Sequence, residues 1–194
     1  MRYLFLDCET GGLNPRETSL LELSLLLVDG EKPVDDLTSM WRLLTLKTIP
    51  MGGVYRVTPD ALNVNKIDIS NRGNNVLNYF DAGLEIRNFL LPYITKEKFI
   101  VAGWNVQFDL GFIYEHLFDK ATWDKLVGYR CLDVQSVAKF LTDVNYIQPK
   151  KNSLVGVADY LGIDTTGAHS SAADTVMTYN VFLKLKNTFK GVAI

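Results

Sequence analysis

The run Tyr3-Leu4-Phe5-Leu6-Asp7-Cys8-Glu9-Thr10-Gly11-Gly12-Leu13 begins as an apolar strand and ends in two carboxylates one residue apart. Side chains on a strand alternate faces, so Asp7 and Glu9 project together while Cys8 points the other way. Two like charges sharing one small site either raise a pKa or gather a cation. An all-oxygen donor set suits a hard ion such as magnesium or manganese. Two solvated acids at the open end of an edge strand would carry the same sequence. The pair becomes decisive only when further carboxylates reach it from elsewhere in the chain.

Outward from this run, residues 2–8 read as a buried strand, 20–28 as a leucine-rich second strand closed by the turn signal Asp29-Gly30, and 40–47 as a third. Short connections make these three an antiparallel meander, because parallel neighbours need long crossovers. From 49 to 75 the apolar period fails and Gly, Pro, Asn and Asp take over, with only Pro59-Asp60-Ala61-Leu62 hinting at a helical turn. A long irregular stretch inside a domain is either functional or a solvated excursion. Residues 78–93 then show helical spacing at Phe80, Leu84, Phe89 and Leu90. The spacing continues with a strand at 99–102, a helix at 109–118, a strand at 129–132, and helices at 134–141, 154–161 and 171–189. This alternation predicts an α/β layer. No repeat or linker divides the chain, so 1–194 is expected to be a single domain.

At 194 residues and 47% hydrophobic content, the chain is long enough to bury one sizeable core. The net charge of -2 excludes a protein that grips nucleic acid mainly by neutralising many phosphates. A metal-dependent enzyme escapes that exclusion, since bound cations let an acidic cleft receive a phosphate. No apolar stretch is long enough to cross a bilayer, and the first residues lack the pattern of a signal peptide, which predicts a soluble, cytoplasmic protein without membrane contact. Cys8 and Cys131 lie far apart and form neither a disulfide framework nor a zinc cluster.

Two later segments offer chemistry. In Ala102-Gly103-Trp104-Asn105-Val106-Gln107-Phe108-Asp109 an acid follows a buried strand where a helix begins, a position that helix capping also explains. In Ala168-His169-Ser170-Ser171-Ala172-Ala173-Asp174 the pair Ser171 and Asp174 has the spacing of a capping box. That leaves His169 unexplained. With the helix starting near Ser171, His169 in the loop and Asp174 in the first turn both reach one cleft, and an imidazole beside an acid cluster suits a general base. His116 falls within an amphipathic helical pattern and reads as a surface or packing residue.

The ordered set Asp7-Cys8-Glu9-Thr10-Gly11-Gly12-Leu13, then Asn105-Val106-Gln107-Phe108-Asp109, then His169 with Asp174 five positions later, resembles the three motifs of the DEDDh 3′–5′ exonucleases. That family includes proofreading subunits of replicative polymerases, ribonuclease T and oligoribonuclease. The segment Leu154-Val155-Gly156-Val157-Ala158-Asp159-Tyr160-Leu161 resembles the helix before the last motif. Trp104-Asn105 stands where the family often has His-Asn. The resemblance implies a ribonuclease H-like α/β fold, a mixed sheet of three antiparallel strands and then parallel ones, flanked by helices. It implies two divalent cations, Mg2+ or Mn2+, held by Asp7, Glu9, Asp109 and Asp174, with His169 as general base, and these five as the catalytic residues. The implied reaction removes nucleoside 5′-monophosphates from the 3′ end of single-stranded DNA or RNA. Glu9 and Thr10 would meet the terminal 3′-hydroxyl, Leu13 and Phe108 the last bases, and Asn105 would lie beside them. Core packing is the other reading of Leu13 and Phe108. Some family members serve a polymerase partner, but no low-complexity tail is present here to tether one.

Two rivals remain at this level. A non-catalytic scaffold of the same fold would show neither hydrolysis nor metal-linked stabilisation. A small-molecule phosphoryl hydrolase would release phosphate from a mononucleotide without shortening an oligonucleotide.

Overall fold

The opening run forms β1 (Arg2–Thr10), and its alternation sorts the molecule into two layers. Leu4, Leu6 and Cys8 enter one core while Tyr3 and Phe5 enter another, and all five are buried. Burial on both faces explains why the run is continuously apolar instead of alternating. The computed structural model describes residues 1–30, 32–33 and 42–188.

Around β1 the sheet contains β2 (Leu20–Asp29), the two-residue β3 (Lys32–Pro33), β4 (Leu43–Ile49), β5 (Val76–Asn78), β6 (Ile100–Gly103) and β7 (Cys131–Asp133). Its order is β5-β4-β2-β1-β6-β7, with β3 beside β2. β1, β2 and β4 pair antiparallel, whereas β6 joins β1 and β7 joins β6 in parallel, so the mixed sheet expected from the sequence is present. The third strand lies a few residues beyond the expected 40–47, and residues 40 and 41 fall outside the described residues. β5, parallel to β4, was not expected. It fills the gap between the stretch read as irregular, 49–75, and the expected helix, and takes the first residue of that helix, Asn78.

Helices cover both faces. α1 (Pro59–Asn65) stands in the segment that was expected to be mostly irregular, started by the Thr58 hydroxyl accepting the Ala61 amide and stopped at Lys66, whose φ is 58°. On the Leu4/Leu6 face lie α2 (Tyr79–Leu90), α3 (Val106–His116) and α4 (Lys120–Leu126). α4 is an addition to the expected elements. The Asp119 carboxylate accepts the Thr122 amide to start it, and Trp123 anchors it in the core. On the other face lie α5 (Val134–Asp143), α6 (Leu154–Tyr160) and α7 (Ser171–Thr188), the last followed by residues outside the description, Phe189 among them.

Of the α2 positions whose spacing predicted the helix, Leu90 is buried and Phe89 packs against the core, but the other two are turned outward. Phe80 and Leu84 are exposed, and Tyr79, Ala82, Ile86 and Leu90 point inward. The rotation follows from Tyr79, whose hydroxyl accepts the Leu20 amide at 3.0 Å and donates to the Leu20 carbonyl at 3.2 Å. Leu20 sits where the β1–β2 register slips, so its backbone needs that partner. The other layer is tied by rings: Phe5 lies 5.3 Å from Tyr179 and 5.5 Å from Phe182, which seats α7 on β1. His116 is half-buried, bonds the Thr18 carbonyl and stacks near Tyr79 and Phe112, the packing role expected for it. Among the described residues no helix is long and apolar enough to cross a membrane.

Candidate active site

Asp7 and Glu9 leave the same face of β1 toward α7, and both are half-buried. α7 brings Asp174 in its first turn, so that ligand oxygens of Asp7, Glu9 and Asp174 lie within 4.8 Å of one another. Asp109 arrives from α3 and is 3% exposed. The β1–β6 pairing ends at Phe5 and Ala102, and beyond it the Cys8 amide donates to the Asp109 carboxylate at 2.9 Å. Asp109 therefore replaces a sheet partner and stands beside the trio.

Neither capping reading holds. Asn105, with φ 62° and no side-chain cap, starts α3, and Asp109 is turned to Cys8 instead. At α7 the Ser170 hydroxyl, one residue earlier than expected, accepts the Ala173 amide at 3.4 Å. The Ser171 hydroxyl donates instead to Glu22 at 2.7 Å. Both carboxylate oxygens of Asp174 accept the His169 amide at 3.4 Å. His169 is exposed at the rim with φ 72°, a left-handed conformation that is strained for a non-glycine residue.

Sequence reading missed Glu22. It pairs directly across from Glu9 and shares the face of Asp7 and Glu9. The signal was present: Glu22 and Ser24 are the polar residues at alternate positions of an otherwise apolar strand.

Electrostatics follow from this crowding. Burial first, then the charges of Asp109, Asp174, Glu9 and Glu22, push the Asp7 carboxyl well above its usual range. Burial, then Asp174 and Glu22, push Glu9 up to about 8. Asp109 also rises to about 8 through burial, although the Cys8 amide pulls it back. Asp174 is raised by burial against the opposing pull of His169. Burial, reinforced by Asp109 and Asp7, pushes the Cys8 thiol well up, so it is an inert neighbour. Carboxylates held together at this cost are relieved by a cation, and an all-oxygen set fits a hard divalent ion.

Two cavities flank the acids. One, of about 570 Å3, is lined by Glu9, Thr10, Leu13, Phe108 and the α1 residues Ala61 and Val64. Leu13 is 87% exposed, so core packing does not account for it. Phe108 is half-buried, with its ring 5.2 Å from Phe112. The other, of about 700 Å3, is lined by His169, Asp174, Gln148, Lys150, Lys151 and residues of α6 that include Val155, Asp159 and Tyr160. Asn105 borders neither cavity; its amide donates to Asp133.

The segment before α1 is bolted to the first motif. The Gly11 amide donates to the Ser19 carbonyl, the Ser19 amide to that of Arg56, the Thr58 amide to that of Gly11, and the Asn65 side chain to that of Thr10. A Cβ on Gly11 would lie 2.3 Å from the Arg56 carbonyl oxygen. Gly11→Ala is therefore expected to cost about 1–3 kcal/mol, read as a lower denaturant midpoint. An unchanged midpoint would show that this clamp yields freely.

With this geometry in place, the fold has known counterparts. E. coli exonuclease I in complex with a dT13 oligonucleotide matches 97% of this chain and 41% of its own, with a TM-score of 0.79 and 18% identity. The zinc ion-bound form of the E. coli ExoI–ssDNA complex matches over the same shares, with a TM-score of 0.77 and 20% identity. A product-bound exonuclease I structure matches 96% of this chain and 43% of its own, with a TM-score of 0.75 and 18% identity. The fold is ribonuclease H-like, as in these structures. The chain spans about two fifths of the length of the exonuclease I chains it matches. No protein-family model matches the sequence, and no curated protein does.

Proposed function

We propose that residues 1–194 form one metal-dependent 3′–5′ exonuclease domain of the DEDDh type, which removes nucleoside 5′-monophosphates from single-stranded nucleic acid. The observation that carries this reading is the convergence of Asp7, Glu9 and Asp174 within 4.8 Å, beside Asp109 and with His169 at the rim. The fold shared with exonuclease I structures that hold dT13 and single-stranded DNA supports it and makes DNA the first substrate to test.

Divalent cations, Mg2+ or Mn2+, held by Asp7, Glu9 and Asp174 with Asp109 in support, would neutralise the charge that develops on the phosphodiester. The chain's own residues do the rest. The cavity of Glu9, Thr10, Leu13 and Phe108 takes the terminal nucleoside. Glu9 and the Thr10 backbone meet its 3′-hydroxyl, and the exposed Leu13 and the Phe108 ring hold the base. His169 takes a proton from the attacking water as the bond from phosphorus to the penultimate 3′ oxygen breaks. Its exposed position allows that proton to pass to solvent.

His169→Ala is expected to lower turnover by about 10²–10⁴-fold at neutral pH while leaving the thermal midpoint nearly unchanged, because the imidazole is exposed and not part of the core. Near wild-type turnover would remove His169 as the base. The test of the whole reading is a panel of end-labelled single- and double-stranded DNA and RNA oligonucleotides incubated with Mg2+ or Mn2+. A ladder shortening from the 3′ end supports it. Binding without shortening favours a scaffold, and phosphate released from mononucleotides alone favours a small-molecule hydrolase.

A further inference from the structure

α7 carries Asp174 in its first turn and follows the loop that carries His169, so the place where this helix begins decides where both residues stand. Rings seat its later part, where Tyr179 and Phe182 pack on Phe5 of β1. Its first residue is held by polar bonds instead. Ser171, fully buried, donates its hydroxyl to Glu22 at 2.7 Å and lies 2.8 Å from the hydroxyl of Ser24, which is also fully buried. Ser24 in turn lies 2.8 Å from the hydroxyl of Thr45 on β4.

A hydroxyl has one hydrogen to donate, and that fixes the direction of this chain. Ser171 gives its hydrogen to Glu22, so Ser24 donates to Ser171 and Thr45 donates to Ser24. The series ends on a carboxylate, an arrangement in which each bond polarises the next and the last is charge-assisted. The strand register sets it against the acids. Asp7, Ser24 and Thr45 stand opposite one another across β1, β2 and β4, and Glu9, Glu22 and Lys47 form the next row on the same face. Lys47 sends its ammonium to the Arg72 carbonyl at 3.3 Å, and the group that meets Glu22 is the Ser171 hydroxyl. Among the described residues, the acids whose oxygens lie within 4.8 Å of one another are Asp7, Glu9 and Asp174. Glu22 stands beside that trio with one oxygen already taken by α7.

We propose that Glu22 and Ser171 are positioning residues of the cation site: Glu22 anchors the first residue of α7 to β2 through Ser171, and so holds Asp174 at the separation from Asp7 and Glu9 at which one ion meets all three. This rests on the metal-dependent exonuclease reading above. The test measures Mn2+ affinity directly, from the electron paramagnetic resonance signal of free Mn2+, with oligonucleotide cleavage followed beside it. Ser171→Ala removes the bond and leaves every charge of the cluster, and it is expected to weaken Mn2+ binding by about 10-fold or more, while kcat at saturating Mn2+ falls less. Glu22→Ala is expected to match it, whereas Glu22→Gln, which keeps an oxygen for the Ser171 hydroxyl, stays within about threefold of wild type. Glu22→Gln as weak as Glu22→Ala would overturn the anchor, since the charge and not the bond would then hold the ion. Unchanged Mn2+ affinity in Ser171→Ala and Glu22→Ala would also overturn it, with the exonuclease reading intact. If Ser171→Ala does not fold, the contrast between the two substitutions of Glu22, a half-buried residue, decides alone. Protein that shows this graded Mn2+ binding but shortens no oligonucleotide would overturn the exonuclease reading and leave the anchor. Wild-type protein that binds no Mn2+ would overturn both.

Discussion

Asp7→Asn is expected to lower nucleotide release by at least about 10³-fold and, in the same protein, to raise the thermal midpoint measured in chelator. The two effects have one origin. Asp7 is the acid whose charge is most strongly opposed, by burial and by Asp109, Asp174, Glu9 and Glu22. Asparagine keeps the shape and removes that charge, so the metal-free fold is relieved of like-charge repulsion. Each kcal/mol gained shifts the midpoint by roughly 2–4 °C in a chain of this size. The same charge is what gathers cations, and its loss removes several kcal/mol of stabilisation of the reacting phosphate, at about 1.4 kcal/mol per factor of ten in rate. The checks are an end-labelled oligonucleotide assay in Mg2+ and a melting curve in chelator. A variant that melts earlier and still cleaves would show that Asp7 is a structural acid and that the cluster does no chemistry.

The acids of this site were legible because each lies at a place where the chain announces a change of element. Asp7 and Glu9 end an apolar strand, Asp109 follows a buried one, and Asp174 opens the last helix. Local pattern is enough for such positions. It does not tell what a side chain bonds, which is why capping accounted for Asp109 and Asp174 until the Cys8 amide and the His169 amide appeared as their partners. Glu22 was hidden for another reason. Its membership of the cluster depends on the register between β1 and β2, including the slip after Glu9, and register is a property of two segments at once. The same holds for α2, where simple spacing favoured Phe80 and Leu84, and the bonds of Tyr79 to Leu20 turned the helix to another face. The irregular stretch 49–75 gave little periodic signal because its order comes from backbone bonds to the first motif, such as those linking Gly11, Ser19, Arg56 and Thr58.

Metal-free protein is expected to lose stability as pH rises from about 4 to about 8, and Mg2+ or Mn2+ is expected to abolish that slope. Glu9 ordinarily titrates near 4.5 and is held at about 8 in the fold, with Asp109 moved from 3.8 to about 8 as well. Below the ordinary values folded and unfolded chains are both protonated, and above about 8 both are ionised. Between these limits the unfolded chain has released protons that the folded chain retains. The folded state then binds more protons, so stability is full at the acid end and falls by about 1.4 kcal/mol per pH unit for each extra proton retained. A cation that binds only the ionised cluster of the folded state reverses the balance, adding about 2.7 kcal/mol at a hundred times its Kd. Unfolding midpoints in denaturant at pH 5, 6, 7 and 8, with chelator and with each metal, measure both effects. A flat profile in chelator would mean that the carboxylates are better hydrated than their burial indicates. A profile unchanged by metal would remove the cation from the site and, with it, the charge compensation on which the cleavage chemistry depends.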